Sequence, residues 1–236
     1  EHDGDIEKIA SSREKSKKTT ETKKAPKTEK TDEKKEIAVD EKEINSFRYS
    51  KELDLEDKVS FEGIKIDQII TDLYIRYPLN LTDIRALASL NNLQKLSLSD
   101  CYELTDIRAL ASLKNLKELD LSDCKKLIDI SALASLKNLE KLILSHCGLI
   151  GWKKLTDISA LASLENLNEL DLSSCHNLTD ISALASLENL NKLDLSWCKK
   201  LTDISALASL ENLEKLDLKW CEDLTDISAL ASLKNL

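Results

Sequence analysis

Six cysteines occupy one position in six consecutive copies of a repeated unit. They are Cys101, Cys124, Cys147, Cys175, Cys198 and Cys221. Thiols at a regular spacing could hold a metal ion, form disulfides or supply a catalytic nucleophile. The element that positions the thiols decides which of these chemistries is available.

The spacing separates these alternatives. Metal ligands must converge from several directions, whereas copies in a repeat stack in a file. A nucleophile needs a base beside one special copy, and only His146 and His176 adjoin a cysteine in sequence. Disulfides stay open, because neighbouring coils lie about 4.8 Å apart. Buried free thiols that fill a turn are the favoured interpretation. Unpaired thiols favour the cytoplasm or another reducing compartment, although secretion stays open.

The repeat is the element that positions the thiols. The phrase LTDISALASLENL occupies residues 155–167 and returns unchanged at 178–190 and 201–213. Near-copies at a fixed step predict a stack of coils rather than one unique catalytic centre. Each unit is about 23 residues long, and the third is longer by an insertion. The units begin at Leu81, Leu104, Leu127, Leu155, Leu178, Leu201 and Leu224.

Each unit combines two short elements. Leu96 and Leu98 alternate with polar residues, which predicts a strand with one buried face. Ile84, Leu87 and Leu90 are spaced three apart, which predicts a 3₁₀ or short helical turn with one inward face.

The ends of that turn also carry signals. Asp83 precedes it and is expected to accept a backbone amide two or three residues later. An asparagine at the end of the turn is expected to adopt the left-handed conformation. These asparagines are Asn92, Asn115, Asn138, Asn166, Asn189 and Asn212.

The repeated pattern Leu-x-x-Leu-x-Leu-x-x-Cys-x-x-Leu resembles that of the leucine-rich repeat superfamily. Phrases such as DISALASLKNLEKL from Asp129 and LDLS are similar to bacterial internalin-type repeats, with cysteine at the turn position. The resemblance implies an α/β fold: a right-handed solenoid or horseshoe. A parallel sheet would line its concave face, and short helices or 3₁₀ turns its convex face. It also implies a scaffold that holds another protein.

Three regions are predicted. Residues 1–45 form a disordered tail rich in Lys, Glu and Thr, with 12 basic and 13 acidic side chains. Its basic centre could instead contact nucleic acid or anionic lipid. Residues 46–80 form an N-terminal cap with a degenerate repeat, since Leu73 and Ile75 stand where later units have Leu96 and Leu98. Residues 81–236 contain six full units and a truncated seventh.

Composition excludes other classes. The body after residue 45 holds 22 basic and 30 acidic side chains, which argues against binding nucleic acid. The sequence has no stretch of roughly 20 apolar residues and no leader, so we expect a soluble processed chain or fragment without a membrane span. The unfinished unit predicts an apolar edge at Leu230, Leu233 and Leu236, through which the chain could dimerise.

Outward-facing positions carry the information about partners. The residue between the two strand leucines reads Ser97, Asp120, Ile143, Asp171, Asp194 and Asp217. The residue before each cysteine reads Asp100, Asp123, His146, Ser174, Trp197 and Trp220. The two indoles are expected to lie side by side, flanked by Lys192 and Lys215.

Exposed aromatic side chains beside charges are typical of a binding hot spot for a partner protein. Alternatively, the tryptophans stack only to shield the sheet. The aspartates of the last three strands, Asp171, Asp194 and Asp217, could instead bind calcium, although few neutral oxygens accompany them.

A second patch is predicted at Tyr74, Arg76 and Tyr77. The five-residue insertion at 148–152, which contains Trp152, predicts either a functional loop or a neutral bulge.

The sequence therefore predicts a protein-binding scaffold with an unidentified partner, not an enzyme. It contains no phosphate loop, metal-spaced histidine pair or nucleophile elbow, and no cofactor is expected. Two alternatives remain: the substrate-recruiting repeats of a larger enzyme such as a ubiquitin ligase effector, or a structural self-associating surface protein.

Overall fold

A computed structural model describes residues 52–56, 70–76, 80–148 and 154–236, with backbone alone at 52–56 and Arg76. All of them belong to one compact unit, Val39–Leu236. The predicted tail at 1–45 lies outside the described residues, as do Tyr77 and Trp152.

The described strands form one parallel sheet in which the order along the chain is the order in space. Each strand pairs with the next at equivalent positions, so Leu96 lies beside Leu119 and Leu119 beside Leu142. This sheet, with 3₁₀ turns between its strands, confirms the predicted solenoid. The strands are β1 (Glu52–Glu56), β2 (Asp72–Arg76), β3 (Lys95–Ser97), β4 (Glu118–Asp120), β5 (Lys141–Ile143), β6 (Glu169–Asp171), β7 (Lys192–Asp194) and β8 (Lys215–Asp217).

A five-residue 3₁₀ turn precedes each strand from β3 to β8, and one more follows β8. An aspartate two residues before each turn accepts the amide of the turn's first residue, as expected of Asp83, whose Oδ1 is 2.9 Å from the Arg85 nitrogen. The Arg108 side chain and amide lower the pKa of the equivalent Asp106 to about 2. The turns are η1 (Arg85–Ser89), η2 (Arg108–Ser112), η3 (Ser131–Ser135), η4 (Ser159–Ser163), η5 (Ser182–Ser186), η6 (Ser205–Ser209) and η7 (Ser228–Ser232).

The core is a set of leucine columns that run from coil to coil. Leu87 of the turn and Leu98 after the strand are both fully buried, and the same positions are buried in each unit through the one that begins at Leu178. Burying one leucine contributes about 1.5–3 kcal/mol. A three-residue strand cannot bury that surface alone, so each coil depends on its neighbours.

The asparagines behave differently from expectation. They are absent from the non-glycine residues of positive φ in the described chain, which are Asp100, Asp123, His146, Ser174, Trp197 and Trp220. From Asn115 onward, these asparagines instead donate from Nδ2 to a carbonyl of the preceding coil, as Asn115 does to Asn91 at 2.8 Å. A neighbouring coil at fixed spacing offers an acceptor that an isolated turn lacks. The left-handed residue is the one before the cysteine position.

The six cysteines are free thiols. Five are buried, and Cys221 is half-buried. Each Sγ from Cys124 onward donates to a leucine carbonyl of the preceding coil; for Cys147 the acceptor is the Leu121 carbonyl at 3.1 Å. Burial raises the pKa of Cys175 to about 12 and that of Cys147 well above its ordinary value.

The N-terminal region contains the degenerate repeat in the predicted register, since Leu73 pairs with Leu96. The structure adds strand β1, which the sequence analysis did not predict. Leu53 of β1 pairs with Leu73 of β2. The two residues of this pair are closer together in sequence than Leu73 and its next partner, Leu96. The boundaries assigned to the cap stay predictions.

The edge formed by the last unit differs in part from expectation. Leu233 is buried, with 7% of its surface exposed, whereas Ile227 is 58% and Leu236 49% exposed. Including Leu233 in the apolar edge was therefore wrong, because its side chain turns inward. The dimer stays a prediction. Within the described residues, no helix is long and apolar enough to cross a membrane.

Gly148 starts the insertion in the third unit and has φ +60°. A Cβ there would lie 2.5 Å from the Leu155 nitrogen and 2.8 Å from the Leu155 Cβ. We predict that Gly148→Ala lowers the free energy of unfolding by about 1–3 kcal/mol, because it adds both a clash and an unfavourable φ. Urea denaturation followed by circular dichroism measures this, with the exposed Glu188→Ala as control. Equal stability of the two variants would contradict it.

The buried thiols predict a loss of stability at alkaline pH. Below the ordinary thiol pKa of 9.0, Cys175 is protonated in both the folded and the unfolded state. Its contribution to the free energy of unfolding is then fully present. As pH rises toward about 12, the thiol ionises in the unfolded state before it does so in the folded state. This ionisation stabilises the unfolded state relative to the folded one. In reductant, the unfolding free energy of the unaltered chain should fall more steeply than that of Cys175→Ala, by about 1.4 kcal/mol per pH unit. Parallel pH profiles would contradict this.

Candidate binding surface

One file of side chains follows the middle of the strands on the exposed face of the sheet. The pairing register aligns Tyr74 with Ser97 and continues the file to β8. Tyr74 therefore lies in the same file, between Asp54 of β1 and Ser97 of β3. The patch of Tyr74 with Arg76 and Tyr77 stays a prediction. The Arg76 side chain and Tyr77 are outside what the structure describes. The file reads Tyr74, Ser97, Asp120, Ile143, Asp171, Asp194 and Asp217.

The aspartates of this file have a structural task that the sequence analysis missed. Oδ1 of Asp194 accepts the Ser196 amide at 2.8 Å, and Asp171 accepts the Ser173 amide in the same way. These bonds fix the turn after each strand. The Lys219 amide, and then its side chain, lower the pKa of Asp217.

The second carboxylate oxygens are used unequally. Oδ2 of Asp217 forms an ion pair with Lys219 at 3.0 Å. Among the described residues, none pairs with the Oδ2 atoms of Asp171 and Asp194. These two half-buried carboxylates lie directly beside each other on β6 and β7.

A second file, at the start of each strand, alternates in charge from β2 to β7 and ends with two lysines, Lys192 and Lys215. Lys95 pairs with Glu118 at 2.8 Å. Glu169 pairs with both Lys141 and Lys192. Lys192 and Lys215 begin β7 and β8, whereas the tryptophans follow the ends of these strands. Their predicted role as residues that flank the patch of acids and indoles stays a prediction. Strand direction separates positions that are close together in sequence.

The two tryptophans lie side by side, as predicted. The centroids of Trp197 and Trp220 are 5.1 Å apart with an interplanar angle of 23°. Their exposed fractions are 40% and 62%. The cation that accompanies them is Lys199, whose Nζ lies 5.6 Å from the Trp197 ring centroid and 2.7 Å from Oε1 of Glu222.

Both tryptophans occupy the left-handed turn position, with φ of 62° and 60°. Asp and Asn are enriched in that conformation, whereas a bulky side chain there is an outlier. Asp100 and Asp123 follow the preference in earlier units. Backbone conformation therefore does not explain the indoles. His146 occupies the same turn position two units before Trp197 and is also exposed. Ile143, of the file along the middle of the strands, lies in the same unit as His146.

Two grooves accompany these files. One of about 410 Å³ crosses β5–β8 and is lined by both charged files. The other, of about 980 Å³, follows the asparagine ladder between the turns and strands and includes Asn115, Lys117 and Glu140. The regular asparagines were the signal for this second groove, which sequence reasoning missed. In the part of the chain that the structure describes, no cluster of three His, Cys, Asp or Glu could hold a metal ion.

Family models match most of the repeats. A model for two copies of leucine-rich repeats matches residues 91–135 and 137–186. A leucine-rich repeat model matches residues 186–208 and 209–231. Together these matches span more than half of the chain. No curated protein matches the sequence.

Solved bacterial structures share the fold. Internalin C2 of Listeria monocytogenes is 33% identical with a TM-score of 0.59, over 72% of this chain and 70% of that one. Internalin F of the same species is 29% identical with a TM-score of 0.51, over 72% and 53%. A Leptospira interrogans leucine-rich repeat protein is 21% identical with a TM-score of 0.50, over 78% and 53%, which shows the fold alone. The chain thus spans about half the length of internalin F and of the Leptospira interrogans protein.

The turn conformation predicts which substitutions the tryptophan positions tolerate. Trp197→Asn should change the free energy of unfolding by less than about 1 kcal/mol, because relief of left-handed strain offsets the lost stacking, which is worth about 0.5–1.5 kcal/mol. Trp197→Val should be less stable than Trp197→Asn by about 1–2 kcal/mol, because a β-branched residue resists positive φ. Urea denaturation of both variants tests this, and the reverse order would contradict the conformational argument.

Proposed function

Because this chain belongs to the leucine-rich repeat family and has internalin-like repeats, we propose that it binds a partner protein on the exposed face of its sheet. Leucine-rich repeat proteins commonly act in protein–protein interaction. A partner that lies across the strands could contact several units at once, and the variation among outward positions would supply specificity. Substrate recruitment for a larger enzyme would require the same surface.

The stacked pair Trp197 and Trp220 is the observation that carries this proposal. Tryptophan is enriched among residues that dominate binding energy, since it buries a large area at small entropic cost. These two indoles are exposed and occupy a turn conformation that does not favour them. The Asn-tolerant turn would be satisfied by a smaller residue, so the indoles need another explanation, and partner binding supplies one.

The thiols support a scaffold more than an enzyme. Cys175 and Cys198 are buried and donate to leucine carbonyls at 3.5 and 3.3 Å. Burial raises both pKa values, which disfavours the nucleophilic thiolate. Free thiols that are protonated and buried also support our proposal of a reducing compartment for this chain.

Affinity capture with the full chain tests the binding function. We expect a protein retained by the unaltered chain to lose at least tenfold in affinity for Trp197→Asn with Trp220→Asn, because truncating hot-spot residues typically costs about 2 kcal/mol or more. Capture from lysate identifies the protein, and titration calorimetry with the purified protein measures the change.

The matched control is Asp100→Asn with Asp123→Asn, which alters the equivalent turn position in two earlier units. It should bind within about twofold of the unaltered chain. Equal affinity of all three proteins would remove the tryptophan pair from the binding surface. Retention of no protein from any relevant lysate would argue for the structural, self-associating alternative.

A further inference from the structure

Strands β6–β8 and the turns that follow them combine carboxylates with the two indoles. We propose that this surface, defined by Asp171, Asp194, Asp217, Trp197 and Trp220, binds an extended arginine-rich segment of a partner protein. The inference rests on the proposed function and specifies the chemistry of the partner.

The indoles provide the apolar part of the surface. Trp220 exposes 62% and Trp197 40% of their surface. A substantial part of each indole thus stays exposed although the two rings stack on each other. Lys199 already lies over the Trp197 ring, 5.6 Å from its centroid. A cation is therefore a compatible neighbour of this indole.

The carboxylates determine the charge of the occupant. Asp171 and Asp194 are direct neighbours across β6 and β7, and each uses Oδ1 to accept a turn amide at 2.8 Å. No described residue neutralises their Oδ2 atoms. Like charges opposite each other on adjacent strands destabilise a sheet. A cationic group placed between the two carboxylates would remove that repulsion.

The lysines nearby do not neutralise Asp171 and Asp194. Three of them pair with other acidic side chains, and the fourth lies on β8. Lys192 pairs with Glu169, Lys199 with Glu222 and Lys219 with Asp217. Lys215 forms no ion pair with a described residue and begins β8, two residues before Asp217. Its charge disfavours a cation at the β8 end. The pair Asp171 and Asp194 is thus the attractive position.

Arginine fits this arrangement better than lysine. Its planar guanidinium can bond two carboxylate oxygens at once and can stack on an indole face. Asp194 and Trp197 are three residues apart in one turn, which the Ser196 amide closes onto Asp194. Successive arginines of an extended segment could therefore reach the carboxylate pair and the stacked rings.

Fluorescence anisotropy with three labelled decapeptides tests the proposal on the full chain. The peptides are alternating Arg-Ala, Lys-Ala and Glu-Ala. We expect the Arg-Ala peptide to bind severalfold more tightly than the Lys-Ala peptide, the Glu-Ala peptide not to bind, and raised salt to weaken binding. Absence of measurable Arg-Ala binding at millimolar peptide, or equal binding of Glu-Ala, would overturn the proposal.

Matched variants locate the site. Asp171→Asn with Asp194→Asn keeps the turn-capping oxygens and should weaken Arg-Ala binding about tenfold, as should Trp197→Asn with Trp220→Asn. Asp120→Asn, at the same file position on β4, should change it less than twofold. Equal losses in Asp120→Asn and the Asp171 and Asp194 variant would overturn the assignment to β6–β8.

A captured partner separates this inference from the broader function. If a partner depends on the tryptophan pair but binds the Asp171→Asn and Asp194→Asn chain normally, the scaffold function stands and the arginine-rich segment is wrong. If its affinity falls with both pairs of substitutions, both proposals are supported.

Discussion

Hydrogen bonds between successive coils are the constraint on which this structure depends. Each short strand leaves backbone groups that only the next coil can satisfy, as the Leu98 nitrogen does by donating to the Asp120 carbonyl at 2.8 Å. Because the same register holds from β2 to β8, leucines stack on leucines and build a continuous core. Stability is therefore shared between neighbouring units rather than contained within any one of them.

The same spacing turns side chains into connectors between coils. Asparagine amides bond carbonyls of the preceding coil on one edge, as Asn189 does to Glu165 at 2.8 Å. Cysteine thiols do so in the interior, where Cys198 donates to the Leu172 carbonyl at 3.3 Å. Polar groups that would be unsatisfied in an isolated turn find partners one coil away. This accounts for polar residues that repeat as strictly as the leucines.

The candidate binding surface exists because the backbone leaves some positions unconstrained. Every unit needs inward leucines, but the turn residue before cysteine needs only a positive φ, and it is Asp, His, Ser or Trp in different units. The middle strand position must only project outward, and aspartate there also caps the following turn. Function can vary at these positions without disturbing the hydrogen bonds and leucine columns that hold the coils together.

The sequence by itself determined the periodic features. Ile84, Leu87 and Leu90 predicted the 3₁₀ turns, and the regular step between units placed Leu73 beside Leu96 and Trp197 beside Trp220. Those inferences need only a period and the alternation of buried positions. The tertiary structure alone decided that Asn115 bonds across coils, that the residue before cysteine is left-handed and that Lys192 pairs with Glu169. It also added β1, whose pairing with β2 does not follow the period of the later units. These features depend on distances between coils, which a linear pattern does not contain.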